Sequence, residues 1–182
     1  MSPERDTLFF CIMQDLLFRK ATPTDVDAIM MLVQKRINWM NDVGLHQWNE
    51  TDYFGRYPRS YWEANINSFL VGEYMGRVVV GIALYTEDIR WTRDGQLERP
   101  LAEGKAYYLH HLVTDPICTG SGVAMMKYVE QYARENGVGI LRLDSAIGNN
   151  SLERYYTALG YSRCGICHDR LYHGVLREKS LC

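Results

Sequence analysis

The chain has no apolar run long enough to span a bilayer. The longest near its start, Leu8–Met13 (LFFCIM), falls far short of the ~20 residues that a spanning helix needs. The segment ahead of it, SPERD, is mixed in charge rather than basic, and no small-residue cleavage site follows, so a secretory signal and a membrane partner are not expected. An excess of one charge is missing too. Lys and Arg number 20 and Asp and Glu 22, for a formal net charge of -2. That balance argues against nucleic acid as a main partner, because phosphate binding needs a clustered basic face. Internal repeats and low-complexity tracts are absent. What remains, 182 residues of which 47% are apolar and 23% charged, is the composition of one soluble domain with a single core.

Cysteine is sparse, and its five positions (Cys11, Cys118, Cys164, Cys167 and Cys182) are scattered and odd in number. In a chain without a signal they are expected to be reduced thiols of a cytoplasmic protein. One pentapeptide resists that plain view. Residues 164–168 spell CGICH, a literal C-x-x-C-H, the pattern that attaches c-type haem. Haem attachment goes with export, however, and the surrounding residues read as two short strands about a turn near His168–Arg170. On a strand, positions i and i+3 point to opposite faces, so Cys164 and Cys167 are not expected to grip one ligand. A zinc site would need a second ligand pair, and the H-x-x-x-x-H of His168 and His173 is too long for adjacent ligands on one strand. No haem and no metal is expected.

Periodicity orders the rest. A strand over Leu16–Lys20 precedes Pro23 and the N-cap candidate Thr24. Val26, Ile29, Met30, Val33, Ile37 and Met40 then mark one face of a helix. A second helix is expected over about Arg59–Asn65. Residues 69–88 read as a hairpin turning at Met75-Gly76. A polar connection leads to a strand over 105–115, a helix ending at Gly137, a strand over 139–145, a short helix over 151–159 and a closing hairpin. Helices interrupt the strands without strict alternation, which predicts one α/β domain with a mixed central sheet flanked by helices.

Chemistry concentrates where the strand at 105–115 passes into its helix through TDPICTGSGVA. Gly120 and Gly122 let backbone N–H groups turn inward without a Cβ in the way, and the helix aims its positive end at the same point. Together they form an anion cradle suited to phosphate or pyrophosphate. A dinucleotide fingerprint fails because the third glycine is replaced by Met125, although Asp144 stands at a tolerable distance for the acidic partner. A P-loop fails for want of G-K-[ST].

With the segments downstream of it, this stretch resembles the core of the GNAT N-acetyltransferase superfamily over about fifty residues, from Leu112 to Tyr161. The family's Q/R-x-x-G-x-G/A loop falls on Thr119, Gly120, Ser121, Gly122, Val123 and Ala124. Its later N-x-x-A-x-x-L-Y-x-x-x-G-F/Y falls on Asn149, Leu152, Tyr155, Tyr156, Gly160 and Tyr161. Thr119 stands where the family usually has Gln or Arg, and Leu152 where it commonly has Ala. The resemblance implies a GNAT-like fold with splayed strands at the cofactor site, and acetyl-CoA as cosubstrate. It implies that Leu112, Val113 and Thr114 bind the pantetheine arm by their backbone. The diphosphate is then held by 119–124, with Asn149 and Tyr156 completing the cofactor site. Tyr156 becomes the acid that protonates the leaving thiolate. Thr119 predicts weaker cofactor affinity rather than a lost site, since the backbone donors remain.

The attacking amine must lose a proton, and a base of near-neutral pKa suits that step. His110 and His111, on opposite faces of their strand, offer one. His110 lies where many family members carry Glu or His and is the expected base, with Glu73 or a water relay as substitutes. The acceptor site implied by the resemblance lies in the first two helices and their loops. Trp39, Gln47, Trp48 and Tyr53 are the expected substrate contacts there, with Phe54 and Trp91 adding to an unusual aromatic density. Glu50, Asp52, Glu87 and Asp88 would attract a cation. The expected activity is direct acetyl transfer to a small-molecule amine in a ternary complex. A peptide or protein N-acetyltransferase and a catalytically weak CoA-binding sensor are the alternatives. The oligomeric state is left open, a homodimer included. Residues 1–15 precede the resemblance and are expected to be an N-terminal extension, unless Met13 is the start, ahead of a domain over 16–182.

Overall fold

The computed structural model describes residues 15–93, 95–169 and 172–181. All but the last residue of the expected N-terminal extension lies outside them, and so does Cys182. Along the described chain run β1 (Leu17–Lys20), α1 (Val26–Asp42), α2 (Tyr53–Arg56), α3 (Arg59–Asn65), β2 (Phe69–Tyr74) and β3 (Arg77–Tyr85). They are followed by β4 (Ala106–Thr114), α4 (Ser121–Glu135), β5 (Ile140–Ala146), α5 (Asn150–Ala158), β6 (Ser162–Asp169) and β7 (Tyr172–Ser180). The strands form one seven-stranded sheet in the order β1-β2-β3-β4-β5-β7-β6. β4 and β5, joined through α4, pair parallel, whereas β1/β2, β5/β7 and β6/β7 pair antiparallel, so the sheet is mixed as expected. No helix among the described residues is long and apolar enough to cross a membrane.

The chain divides into two compact units whose boundaries fall inside β3, β4 and α4. The first takes the described residues up to Gly81 together with Val113–Met125. In it β1 pairs with β2 from Leu17↔Glu73 to Lys20↔Leu70. The connection to α1 is clamped by a carboxylate. Asp25 accepts at Oδ2 from the Thr22 N–H at 2.7 Å and the Thr22 hydroxyl at 2.9 Å, and the Arg19 guanidinium donates to both of its oxygens, at 2.7 and 2.8 Å. The cap therefore falls on Thr22 and Asp25 rather than on Thr24. Arg19, first of all, holds Asp25 down to about 2. Along α1, Val26, Ile29, Leu32, Val33 and Met40 are buried, a stripe rotated slightly from the expected one because Leu32 replaces Met30 and Ile37 at the core. At the hairpin, Met75 (φ 50°) and Gly76 (φ 73°) are both left-handed, the backbone of a two-residue I′ turn.

The second unit comprises Ile82–Leu112 and the chain from Met126 on. β5 pairs with β7 from Ile140↔Ser180 to Ala146↔Gly174. Between β6 and β7 the register shifts between Arg163 and Gly165. That irregularity resets the side-chain alternation, so Cys164 and Cys167 both enter one buried cluster with Trp91 and Leu176. The expected opposition of the two cysteines does not hold. Burial pushes both thiols up to about 11, which leaves them unreactive. The spacing of His168 and His173 is also read differently by the fold. They lie directly opposite each other across the hairpin, with their Nδ1 atoms 2.8 Å apart.

The long connection before β4 lies along β6. Ile166 donates to the Gln96 carbonyl and Glu98 to the Cys164 carbonyl, each at 2.9 Å, which covers the sheet's outer strand. Glu178 secures it from below. Its carboxylate accepts from Arg142 at 2.9 Å and from the Ala102 N–H at 3.1 Å.

Candidate active site

The anion cradle is built by its own hydrogen bonds. The Asp115 N–H donates to the Val79 carbonyl at 2.7 Å, and Cys118 N–H turns back to the Asp115 carbonyl at 3.0 Å. Gly120 then takes φ 87°, which a side chain would resist. The ladder of α4 begins with the Ala124 N–H on the Gly120 carbonyl at 3.1 Å. The N–H groups of Gly122 and Val123 precede that ladder and have no helical carbonyl to bind, so they are the donors available to an anion. Ser121 differs. It is buried, its N–H and hydroxyl both donate to the Cys118 carbonyl, at 3.3 and 2.8 Å, and its side chain serves the turn. Cys118 is disulfide-bonded, against the expectation of a reduced thiol at that position.

In the second unit the β4/β5 ladder runs only from Ala106↔Ile140 to Leu109↔Leu143, although β4 continues to Thr114 and β5 to Ala146. Two residues past the last pair, His111 has φ 53°, a left-handed backbone rare outside glycine. A local irregularity in β4 was expected near Leu112–Thr114, and it sits just before them.

Around that point gathers a network that the sequence did not announce. Asp88 accepts from Arg90 Nε at 3.1 Å and Nη2 at 2.9 Å, and lies 3.0 Å from His110 Nε2. Arg90 Nη1 reaches Asp144 at 3.0 Å, and the Tyr172 hydroxyl also bonds to Asp144. Both carboxylates are buried. Burial pushes Asp88 up, but the His110 hydrogen bond and the Arg90 charge prevail and hold it down to about 2. An ionised carboxylate only accepts and an arginine only donates. The tautomer with its proton on Nε2 offers that proton to Asp88 and its Nδ1 lone pair to Arg90, whose Nη2 lies 2.7 Å from Nδ1 and 3.0 Å from Nε2. One ligand atom from each of Asp88, His110 and Asp144 falls within 4.8 Å of the others, a spacing suited to a cation. The Arg90 guanidinium supplies the positive charge there. Of these residues, Asp88 enters the sequence reading only as one of four acids that would attract a cation, and Asp144 only in rejecting a dinucleotide fold. Arg90 had no sequence signal.

On α5, Leu152, Tyr155, Tyr156 and Leu159 share the inward face at three-and-four spacing, and Asn149 caps the helix, its Oδ1 accepting from Ser151 and Leu152 at 3.1 Å. Tyr156 is the more buried of the two tyrosines. Burial, then the nearby Tyr155 and Asp144, raise the Tyr156 hydroxyl well above the ordinary phenol value, and it stays protonated at neutral pH.

The expected acceptor residues belong to the first unit. Trp39 is partly exposed beside Arg36, whose guanidinium lies 4.8 Å from its ring centroid. Gln47 donates its N–H to Asn49 at 2.9 Å. Trp48 stacks on Tyr53 at 5.0 Å, and Tyr53 is buried, the first link of an aromatic series through Tyr57 and Trp62 into the core. Trp91 is no wall of a pocket: it is buried in the second unit beside Arg142. Glu73 is taken by Arg19.

Comparison with known proteins bears on this geometry. The family model described as the acetyltransferase (GNAT) family matches residues 33–161. A GNAT-family acetyltransferase structure from Listeria monocytogenes is 25% identical, with 91% of this chain and 94% of that one covered and a TM-score of 0.69. The PaiA N-acetyltransferase of Thermoplasma acidophilum, solved with coenzyme A, is 15% identical over 91% of this chain and 98% of that one, with a TM-score of 0.68. YncA of Salmonella typhimurium, described as a putative acetyltransferase and solved with acetyl-CoA, is 17% identical over 92% and 95%, with a TM-score of 0.56. None of the curated proteins matches the chain at a significant level.

Proposed function

Since the chain belongs to the GNAT acetyltransferase family and is an acyltransferase of the N-acetyltransferase kind, we propose that it moves an acetyl group from acetyl-CoA to the amine of a small molecule, by direct attack. The observation that carries the cosubstrate is the turn at Thr119–Ala124, where left-handed Gly120 and the unpaired amides of Gly122 and Val123 face outward from a helix start. A diphosphate satisfies those donors and the helix dipole together. The backbone of Leu112, Val113 and Thr114 carries the pantetheine arm, beyond the point where β4 stops pairing with β5.

Tyr156 supplies the proton to the departing thiolate; its raised pKa keeps the hydroxyl loaded. His110 takes the amine proton at Nδ1, while Asp88 holds Nε2–H and stabilises the imidazolium that forms. Arg90 Nη2 faces that lone pair, so the entering amine displaces one guanidinium N–H, and Asp144 keeps Arg90 anchored meanwhile. A disulfide-bonded Cys118 offers no thiol for an acetyl-cysteine, in keeping with direct transfer. Trp39, Gln47, Trp48 and Tyr53 line the acceptor side, where Tyr53 is the buried anchor. Calorimetry with acetyl-CoA, followed by thiol release against a panel of small amines and peptides, tests the proposal. Saturable binding and release with small amines are expected. Release with peptides alone would refute the acceptor class, and absence of binding would refute the cosubstrate.

A further inference from the structure

Among the buried or half-buried arginines of the described residues, Arg36 stands apart in making no direct ion pair with a carboxylate. Arg19 is paired with Asp25 and Glu73, Arg90 with Asp88 and Asp144, Arg142 with Glu178, and Arg177 with Glu153. Arg36 lies on the last turns of α1 with one face of its guanidinium over Trp39, at 4.8 Å from the ring centroid. Its Nη2 donates to the Thr114 carbonyl at 2.9 Å and to the Thr114 hydroxyl. Both acceptors are neutral. Asp115 is the adjacent carboxylate, but its Oδ2 is held by Lys35 at 2.6 Å and its Oδ1 by the Ile117 N–H at 3.2 Å. Burial lowers the Arg36 pKa, and the nearby Asp115 charge offsets that only in part.

A half-buried guanidinium without a carboxylate costs stability unless something repays it. The fixed bonds to Thr114 and the cover of Trp39 orient the group, and Nε and Nη1 have no acceptor among the described residues. Thr114 is the last residue of β4, directly ahead of the anion cradle. Resting on the function proposed above, the geometry points to Arg36 as an anion-recognition residue, binding carboxylate or phosphate oxygens of a bound ligand through its Nε and Nη1 edge. The anion comes either from the acceptor, which is then an amine bearing a carboxylate, or from the cofactor's diphosphate. In the second case Arg36 takes up the role left vacant at Thr119, which carries no long polar side chain.

Arg36→Met and Arg36→Lys separate these sources. Coenzyme A binding is measured by calorimetry, and kinetics are run on matched amines with and without a carboxylate. A cofactor contact is expected to weaken coenzyme A binding about 10- to 100-fold in Arg36→Met, equally for every amine. An acceptor contact leaves that binding unchanged and raises KM about 10- to 100-fold for the carboxylate-bearing amine alone. Arg36→Lys keeps the charge without the fork and is expected to recover part of either loss. It also stands in should Arg36→Met melt well below the native protein. Changes within about twofold in all assays would overturn the inference while leaving the proposed function intact. A native protein that binds no coenzyme A would overturn the function and this inference with it.

Discussion

Asp88→Asn tests the network around His110 most directly, because it removes one charge and almost no volume. The Asp88 carboxyl titrates at about 2 instead of its ordinary 3.8. At about 1.4 kcal/mol per pH unit, that depression corresponds to about 2 kcal/mol of stability at neutral pH. Loss of the charge also leaves Arg90 buried with only Asp144 as counter-ion, and breaking a buried pair from one side costs about 3–5 kcal/mol. The two figures describe the same interaction and Asp144 still pairs with Arg90, so the expected destabilisation is about 2–4 kcal/mol, or a melting temperature lower by roughly 5–15 °C for a chain of this size. The sign with pH follows from the direction of the depression. The folded value is below the unfolded one, so the contribution is complete above about pH 4 and is lost as pH falls through 3.8 toward 2. Urea unfolding of the native protein and the variant at pH 7 and across that acid window checks both statements. The gap between them should close as pH falls. A variant within about 0.5 kcal/mol of the native protein at pH 7, or a gap that does not change with pH, would refute the pairing.

Tyr156→Phe is expected to lower kcat about 100-fold with coenzyme A affinity unchanged, as steady-state kinetics and calorimetry would show. Equal loss of stability and binding would instead make it a packing residue. Gly165→Ala is expected to cost about 1–3 kcal/mol by thermal melting, since an added Cβ would lie 2.2 Å from the Gln96 carbonyl oxygen, and backbone must move to admit it. Gly120→Ala, at φ 87°, is expected to destabilise by about 1–2 kcal/mol and to weaken acetyl-CoA binding, both measurable on one preparation by melting and calorimetry.

Much of the fold was legible from local order alone. The helix over Arg59–Asn65 falls where it is expected, the hairpin turns at Met75-Gly76, and the strand-turn-helix around Gly120 lies within a residue or two of its expected bounds. Those features depend on periodicity and turn chemistry within a few residues, and the GNAT resemblance rests on the same contiguous stretch. Pairing across distance was not legible. A register shift at Cys164 puts Cys164 and Cys167 in one cluster, and a hairpin brings His168 against His173, although each pair looked mismatched on a single strand. The same holds for the residues around His110. Asp88 and Arg90 come from the long connection, His110 from β4, Asp144 from β5 and Tyr172 from β7, so no window of sequence contains their meeting.

Sequence by itself determined the family, the order of elements and the glycine turn that faces an anion, because those are properties of neighbouring residues. Tertiary structure alone decided which charges are satisfied. It pairs Arg90 with two buried acids and leaves Arg36 without a direct ion pair among the described residues, since a counter-ion is a matter of three-dimensional proximity and burial, which spacing along the chain does not encode.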